Sequence, residues 1–184
     1  MADKVKFGIK NVHIFPITSY ISTTPVYGTV IDVPGAVSLS MGAQGDINKF
    51  YADNIVYYQT SANNGYEGDL TVALIPDAVY ENVFGYTKDT NGVITEDASK
   101  EAKAFAMTFE EDGDTTGTKF VMYNCTATRP TRELNTIEDQ KTPTTQALTV
   151  SAAPLKNGQV MAMTSATTPD AVKNGWHSNV YFSS

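Results

Sequence analysis

YEGDLTVALIPDAVYENVFG, from Tyr66 to Gly85, changes its apolar period halfway along, and that change sets the fold class. In the first half Tyr66, Leu70, Val72 and Leu74 fall on one face, with Glu67, Asp69 and Thr71 on the other, the pattern of a strand with one wet side. In the second half Val79, Tyr80, Val83 and Phe84 recur at i, i+1, i+4 and i+5, which makes one apolar stripe on a helix. Pro76 suits the first helical turn, Asp77 complements the positive end of the helix dipole, and Gly85 can close the C-terminus in a left-handed conformation. The reading is a strand followed by a helix over Pro76–Phe84 that packs its stripe against a sheet.

Working outward, period-two alternation recurs. AFAMTFE (Ala104–Glu110) sets Phe105, Met107 and Phe109 against Ala106, Thr108 and Glu110. VKFGIKNVHIF (Val5–Phe15) puts Val5, Phe7 and Ile9 on one face and then moves to Val12 and Ile14, so a bulge belongs near Lys10 and Asn11. Further strands are predicted at Ala36–Ser40, Asn54–Thr60, Lys119–Thr128, Gln146–Ala152 and Gln159–Ser165, rich in β-formers and bounded by Gly, Pro or Asn. A second short helix is expected around Ser99–Lys103. In YTKDTNGVITED (Tyr86–Asp97) the Asp, Asn and Gly spacing suggests a calcium loop. With Gly92 as its sixth residue, however, the first ligand would be Thr87 and the twelfth Ala98, which lack the required carboxylates. What remains is Asn91-Gly92 as a type I′ turn.

Composition excludes several functions. The chain has 184 residues and a net charge of −7, and its arginines are Arg129 and Arg132 alone. A phosphate backbone needs clustered Lys and Arg, so nucleic-acid binding is disfavoured; an acidic wall would instead repel DNA. Glu110, Glu111, Asp112 and Asp114 in FEEDGDTTG read as a solvated turn. The opening residues are charged where a secretory signal needs an apolar run, and no stretch approaches the roughly 18 apolar residues of a membrane span, so a cytoplasmic origin and no membrane contact are expected. The lone Cys125, within KFVMYNCTATRP, reads as a small buried apolar residue rather than a nucleophile, and the acceptor pattern Asn124-Cys125-Thr126 lies in a predicted strand. His13 and His177 sit in no catalytic signature, and two histidines with one cysteine make a structural zinc site improbable. The expectation is no catalytic residue, metal or cofactor; a hydrolase would require His13 or His177 beside a carboxylate in a pocket.

The segment Met41–Gly68 combines Gly42, Gly45 and Gly65 with Phe50, Tyr51, Tyr57, Tyr58 and Tyr66. Two readings stay open: an ordinary β-hairpin with a decorated tip, or a surface that meets a partner.

The order of NKFYADN (Asn48–Asn54), NNGYEGDLTVALIPDAVYENVFGYTKDTNGV (Asn63–Val93), AFAMTFEEDG (Ala104–Gly113), KFVMYNCTATRP (Lys119–Pro130) and TTQALTVSAAP (Thr144–Pro154) resembles the major tail, or tail tube, proteins of long non-contractile-tailed, siphovirus-like bacteriophages. The resemblance covers about Lys4 to Thr164. It implies a mainly β subunit, a sandwich or barrel-like fold with one flanking helix and a long inter-strand loop, in a single domain over residues 1–165. Copies of such a subunit would form hexameric rings stacked into a hollow tube in the virion, assembled in the host cytoplasm. The tape measure protein and DNA would pass through the lumen without specific binding, and other tail proteins would meet the tube ends. By position, Gly42–Gly65 would be the loop that reaches the neighbouring ring and orders on assembly, with Phe50, Tyr51, Asp53, Asn54, Tyr57 and Tyr58 as contact residues. Glu67, Asp69 and Thr71 would face the lumen while Tyr66, Leu70, Val72 and Leu74 fill the core. Residues 166–184 depart from the pattern; their Trp176, Tyr181 and Phe182 suggest an arm docking on the next ring, or else a last strand of the same subunit. A non-catalytic carbohydrate- or receptor-binding β-module is the alternative, and it would need its aromatics to converge in one concave patch.

Overall fold

The computed structural model describes residues 7–113, 117–132, 134, 136 and 143–183; Val5 and Asp114 of the sequence reading lie outside them. Among these residues the strands are β1 (Gly8–Ile21), β2 (Thr24–Tyr27), β3 (Ile31–Val33), β4 (Ala36–Gln44), β5 (Ile47–Ala52), β6 (Ile55–Ser61), β7 (Gly65–Val72), β8 (Thr87–Lys88), β9 (Ile94–Thr95), β10 (Phe105–Asp112), β11 (Lys119–Ala127), β12 (Gln146–Ala152) and β13 (Met161–Met163). The helices are α1 (Asp77–Asn82) and α2 (Asp170–Gly175). The mainly β class expected from the sequence is the one observed, with a second short helix, α2, beyond the one flanking helix expected.

Antiparallel pairing runs β1-β10-β11-β12-β7-β4. β3 pairs back onto β1 through Val12↔Val33 and Ile14↔Ile31, and Pro34-Gly35 is the corner that leads from β3 into β4. The chain thus carries the sheet's last strand, β4, back beside its first, β1, without a hydrogen-bonded ladder between them. The interior holds Ile14, Leu70, Val72, Phe105, Met107, Leu148 and Val150, and α1 closes it with Val79 and Val83. Gly85, at φ +72°, turns the chain away after the helix, and the Tyr86 amide donates to the Tyr80 carbonyl at 3.0 Å. The bulge near Lys10 and Asn11 is present: the β1–β10 register shifts between Lys10 and His13, and Asn11 has φ 54°.

Four expectations need correction. Leu74 is 67% exposed because β7 stops at Val72; Ile75 turns inward instead, its amide donating to Gln146 Oε1 at 2.8 Å. Ala106, Thr108 and Glu110 are buried, since a second core of Phe15, Ala106, Val121, Tyr123, Leu155 and Trp176 covers that face of β10. No helix forms at Ser99–Lys103: Asp97 Oδ1 accepts from the Ser99 amide at 2.9 Å, and the Lys103 amide donates to the Val83 carbonyl at 2.7 Å. Asn91-Gly92 does turn the chain between β8 and β9, yet only Gly92 of the pair has positive φ, so the turn is not type I′. The Asp89 carboxylate holds this loop by accepting from the Asn91 and Val93 amides at 2.9 and 2.8 Å, the work of a turn residue rather than an ion ligand.

Gly68 of β7 lies tight against the β4 backbone. A Cβ there would lie 1.7 Å from the Ser40 carbonyl oxygen. Gly68→Ala is expected to destabilise the subunit by about 2 kcal/mol or more, read as a lowered midpoint in urea unfolding; an unchanged midpoint would show that the strands separate without cost.

Candidate functional site

The segment between β4 and β7 is a two-stranded hairpin, β5 with β6, paired from Ile47↔Ser61 to Ala52↔Ile55. Its tip is Asp53-Asn54 at φ 52° and 63°, the two positive angles of a type I′ turn, which matches the right-handed twist of the strands it joins. Asp53 and Asn54, expected to touch a partner, therefore have a local task first: short polar side chains tolerate the left-handed region. The register slips between Phe50 and Tyr51, leaving Tyr57 as the extra residue.

Strand alternation sorts the hairpin into two faces. One carries the cross-strand pairs Phe50↔Tyr58 and Ala52↔Ile55; the other carries Tyr51↔Val56 with Ile47 and Lys49 behind. Phe50 and Tyr58 are 61% and 62% exposed, and Ile47, Tyr51, Ile55, Val56 and Tyr57 are exposed with them. A soluble protein seldom leaves that much contiguous apolar surface uncovered unless something covers it. The aromatics lie along a projecting ribbon and do not converge, so they build no concave sugar site. The two readings of this segment merge: it is a hairpin, and it is a surface suited to a partner.

At the root of the hairpin the outward face of β4, β7 and β12 is unusually smooth. Register aligns Ser38, Thr71 and Ala147; then Ser40, Asp69 and Thr149; then Gly42, Glu67 and Ser151. Glu67 and Asp69 are exposed, Thr71 is half-buried, and Asp69 Oδ1 accepts from the Thr149 hydroxyl at 2.8 Å. These rows contain no lysine, arginine or aromatic residue, so the face is acidic, hydroxylated and short-sided.

The C-terminal aromatics pack within their own subunit. Trp176, 3% exposed, donates from Nε1 to the Phe120 carbonyl at 3.1 Å. Tyr181 stacks on Trp176 at 5.2 Å, its carbonyl accepts from Tyr123 Oη at 2.9 Å, and Phe182 stacks on Tyr123 at 5.0 Å. In the single subunit residues 170–183 form no strand, and their aromatics lie against their own sheet. The apolar side of β10 and β11 needs a cover, and this segment supplies it.

His13 and His177 stack at 4.7 Å. His177 Nδ1 shares a hydrogen bond of 3.0 Å with Thr108 Oγ1, and Nε2 lies 3.7 Å from the Glu110 carboxylate. His13 faces Asp32 at 3.2 Å. Each histidine therefore has a carboxylate neighbour, but Thr108 is fully buried, so no substrate reaches its hydroxyl. Glu110 is committed to Asn11 at 3.0 Å, with Lys10 and Lys119 beside it. The cluster ties β1, β10 and β11 to the C-terminal segment, a link that no sequence pattern announced. Among the described residues no group of three or more His, Cys, Asp or Glu is placed to hold a metal, and no helix is long and apolar enough to cross a membrane.

The sequence model of the family described as phage tail tube protein matches residues 4–180. No curated protein matches the chain. Among solved structures, a chain of the cryo-EM structure of the anti-feeding prophage baseplate, 6-fold symmetrised, aligns with a TM-score of 0.48 at 9% identity, covering 91% of this chain and 99% of that one. A chain of the anti-feeding prophage cap, the tube-terminating cap, aligns with a TM-score of 0.42 at 10% identity, covering 90% of this chain and 96% of that one.

Burial pushes the Cys125 thiol up to about 12, so thiolate is scarce at pH 8. Ellman's reagent at that pH is expected to leave the folded chain unmodified and to react promptly once urea unfolds it; rapid reaction of the folded chain would place Cys125 outside the core.

Proposed function

The chain belongs to the phage tail tube protein family, and from that premise we propose that it forms hexameric rings which stack, hairpin to ring, into the hollow tail tube through which the genome passes. It is a structural protein of the phage tail and not an enzyme. The observation that carries the finer reading is the β5–β6 hairpin, which projects large apolar side chains on both faces. In this reading Phe50, Tyr51, Tyr57 and Tyr58 bury themselves in the adjacent ring. Residues 7–165 are the tube domain and 166–183 its own cover.

Magnitudes favour addition of rings over addition of single subunits. Burying a large apolar side chain yields about 1.5–3 kcal/mol, so four aromatics on one hairpin yield on the order of 10 kcal/mol at most. Association of one body costs roughly 4–15 kcal/mol in lost freedom and ordering. One hairpin barely offsets that cost, whereas all the hairpins of a ring act together against a single loss of rigid-body freedom. A subunit alone stays free, and a growing tube end captures rings.

The smooth face of β4, β7 and β12 suits the lumen. Its short side chains obstruct little, and Glu67 and Asp69 repel phosphate, so DNA and the tape measure protein would slide without specific binding. Virion residence, assembly in the host cytoplasm and contact with other tail proteins at the tube ends follow from the same reading.

Negative-stain electron microscopy over a concentration series tests it. The unaltered chain is expected to give rings or tubes. Phe50→Ser with Tyr58→Ser should keep the circular dichroism spectrum and lose stacking, because both side chains are exposed in the subunit; tubes forming as readily as before would refute the hairpin's role. Glu67→Lys with Asp69→Lys should still give tubes, but tubes that retain DNA at low salt and release it as salt rises. Tubes of this variant indifferent to DNA would move the face out of the lumen.

A further inference from the structure

Several polar contacts hold the C-terminal segment against the rest of the subunit, and one of them involves a histidine. Lys119 Nζ donates to the Lys173 carbonyl at 2.9 Å, Trp176 Nε1 to the Phe120 carbonyl at 3.1 Å, Tyr123 Oη to the Tyr181 carbonyl at 2.9 Å, and Gln159 Nε2 to Ser183 Oγ at 3.0 Å. His177 Nδ1 shares a further hydrogen bond with Thr108 Oγ1 at 3.0 Å. His177 enters the crevice where β1, β10 and β11 meet, its side chain only 15% exposed, and its Nε2 is buried without a hydrogen-bond partner.

We infer that residues 170–183 are an acid-released latch, closed over the second core while His177 is neutral and freed from the sheet when His177 takes up a proton. The inference does not depend on ring formation; it rests on the groups that face the imidazole. His13 of β1 stacks on it, Lys119 of β11 stands behind Glu110, and Lys10 of β1 holds the other side of the same carboxylate. Asp32 of β3 faces His13, not His177. Among the described residues Glu110 of β10 is the carboxylate toward His177, 3.7 Å away, and it is already shared among Asn11, Lys10 and Lys119. A protonated His177 would be a third positive charge on a carboxylate that Lys10 and Lys119 already share.

The direction follows from linkage. Burial first, then His13 and Lys119, push His177 down from 6.5 to about 4 in the docked state, against a weaker upward pull from Glu110. Once the segment is released, the imidazole regains its ordinary affinity for protons. The docked state therefore keeps its full stability above pH 6.5 and loses it as pH falls toward 4, with the released-to-docked ratio rising up to tenfold per pH unit, a few hundredfold in all. Release uncovers Phe15, Ala106, Val121 and Tyr123, an apolar face available to another surface.

Trp176 adjoins the switch and is the sole tryptophan, so its fluorescence reports docking in the unaltered chain. Acrylamide quenching of Trp176 is expected to rise between pH 6.5 and 4 while the far-ultraviolet circular dichroism of the sheet persists, and His177→Gln should abolish the rise. Glu110→Gln, by contrast, should shift the rise to higher pH, because the imidazolium loses its counterion. A histidine NMR titration of the unaltered chain reads the proton uptake directly, even if His177→Gln fails to dock at neutral pH. Quenching that stays flat to pH 4, a rise unchanged in His177→Gln, loss of the sheet signal together with Trp176 protection, or His177 titrating at its ordinary value while docked would each overturn the latch.

Discussion

The β4–β7 ladder, from Ala36↔Val72 to Gln44↔Gly65, is the constraint on which the rest of the structure depends. Its inward side chains, Leu39, Leu70 and Val72 among them, complete the main core. Its outward residues form the acidic, short-sided face, and its far ends continue directly into the β5–β6 hairpin. Period-two alternation forces this division of labour: every core residue on these strands commits its neighbour to the other face. Gly68 leaves no room for a side chain against β4, and the ladder sets both where the projecting hairpin starts and what the sheet presents beside it.

The strands on the opposite side solve a different problem. β10 has apolar residues on both faces, so it needs a layer outside as well as a core inside. Trp176, Tyr181 and Phe182 provide that layer from the end of the chain, at the expense of enclosing His177 and Glu110 among cations. A buried polar cluster of this kind is held by mutual pairing; removing one partner leaves the others uncompensated. The hairpin and the C-terminal segment are thus opposites: both are rich in aromatics, but one is left uncovered and the other covers its own subunit.

Much of this was legible in the sequence, for local reasons. The strand-to-helix switch at Tyr66–Gly85, the bulge near Lys10 and the burial of Cys125 depend on alternation, capping and β-propensity, which neighbouring residues reveal. Phe50, Tyr51, Tyr57 and Tyr58 stood out because aromatics between glycines fit neither a linker nor a core. The type I′ turn was misplaced at Asn91-Gly92 when Asp53-Asn54 adopts it, although the second pair also lies between two β-rich runs. Leu74 misled because alternation carries no mark of where a strand ends. The placement of Trp176 and the meeting of His177 with Glu110 were hidden, since the partners lie 56 and 67 residues apart in sequence and only the folded sheet joins them.

The central claim, that the hairpin's apolar faces are covered by other copies of this chain, is tested most directly by hydroxyl-radical footprinting with mass spectrometry on isolated subunits and on assembled particles. The account predicts strong labelling of Phe50, Tyr51, Tyr57 and Tyr58 in the subunit and their protection after assembly, with Trp176 protected in both at neutral pH. Hairpin aromatics labelled equally in both states would contradict it.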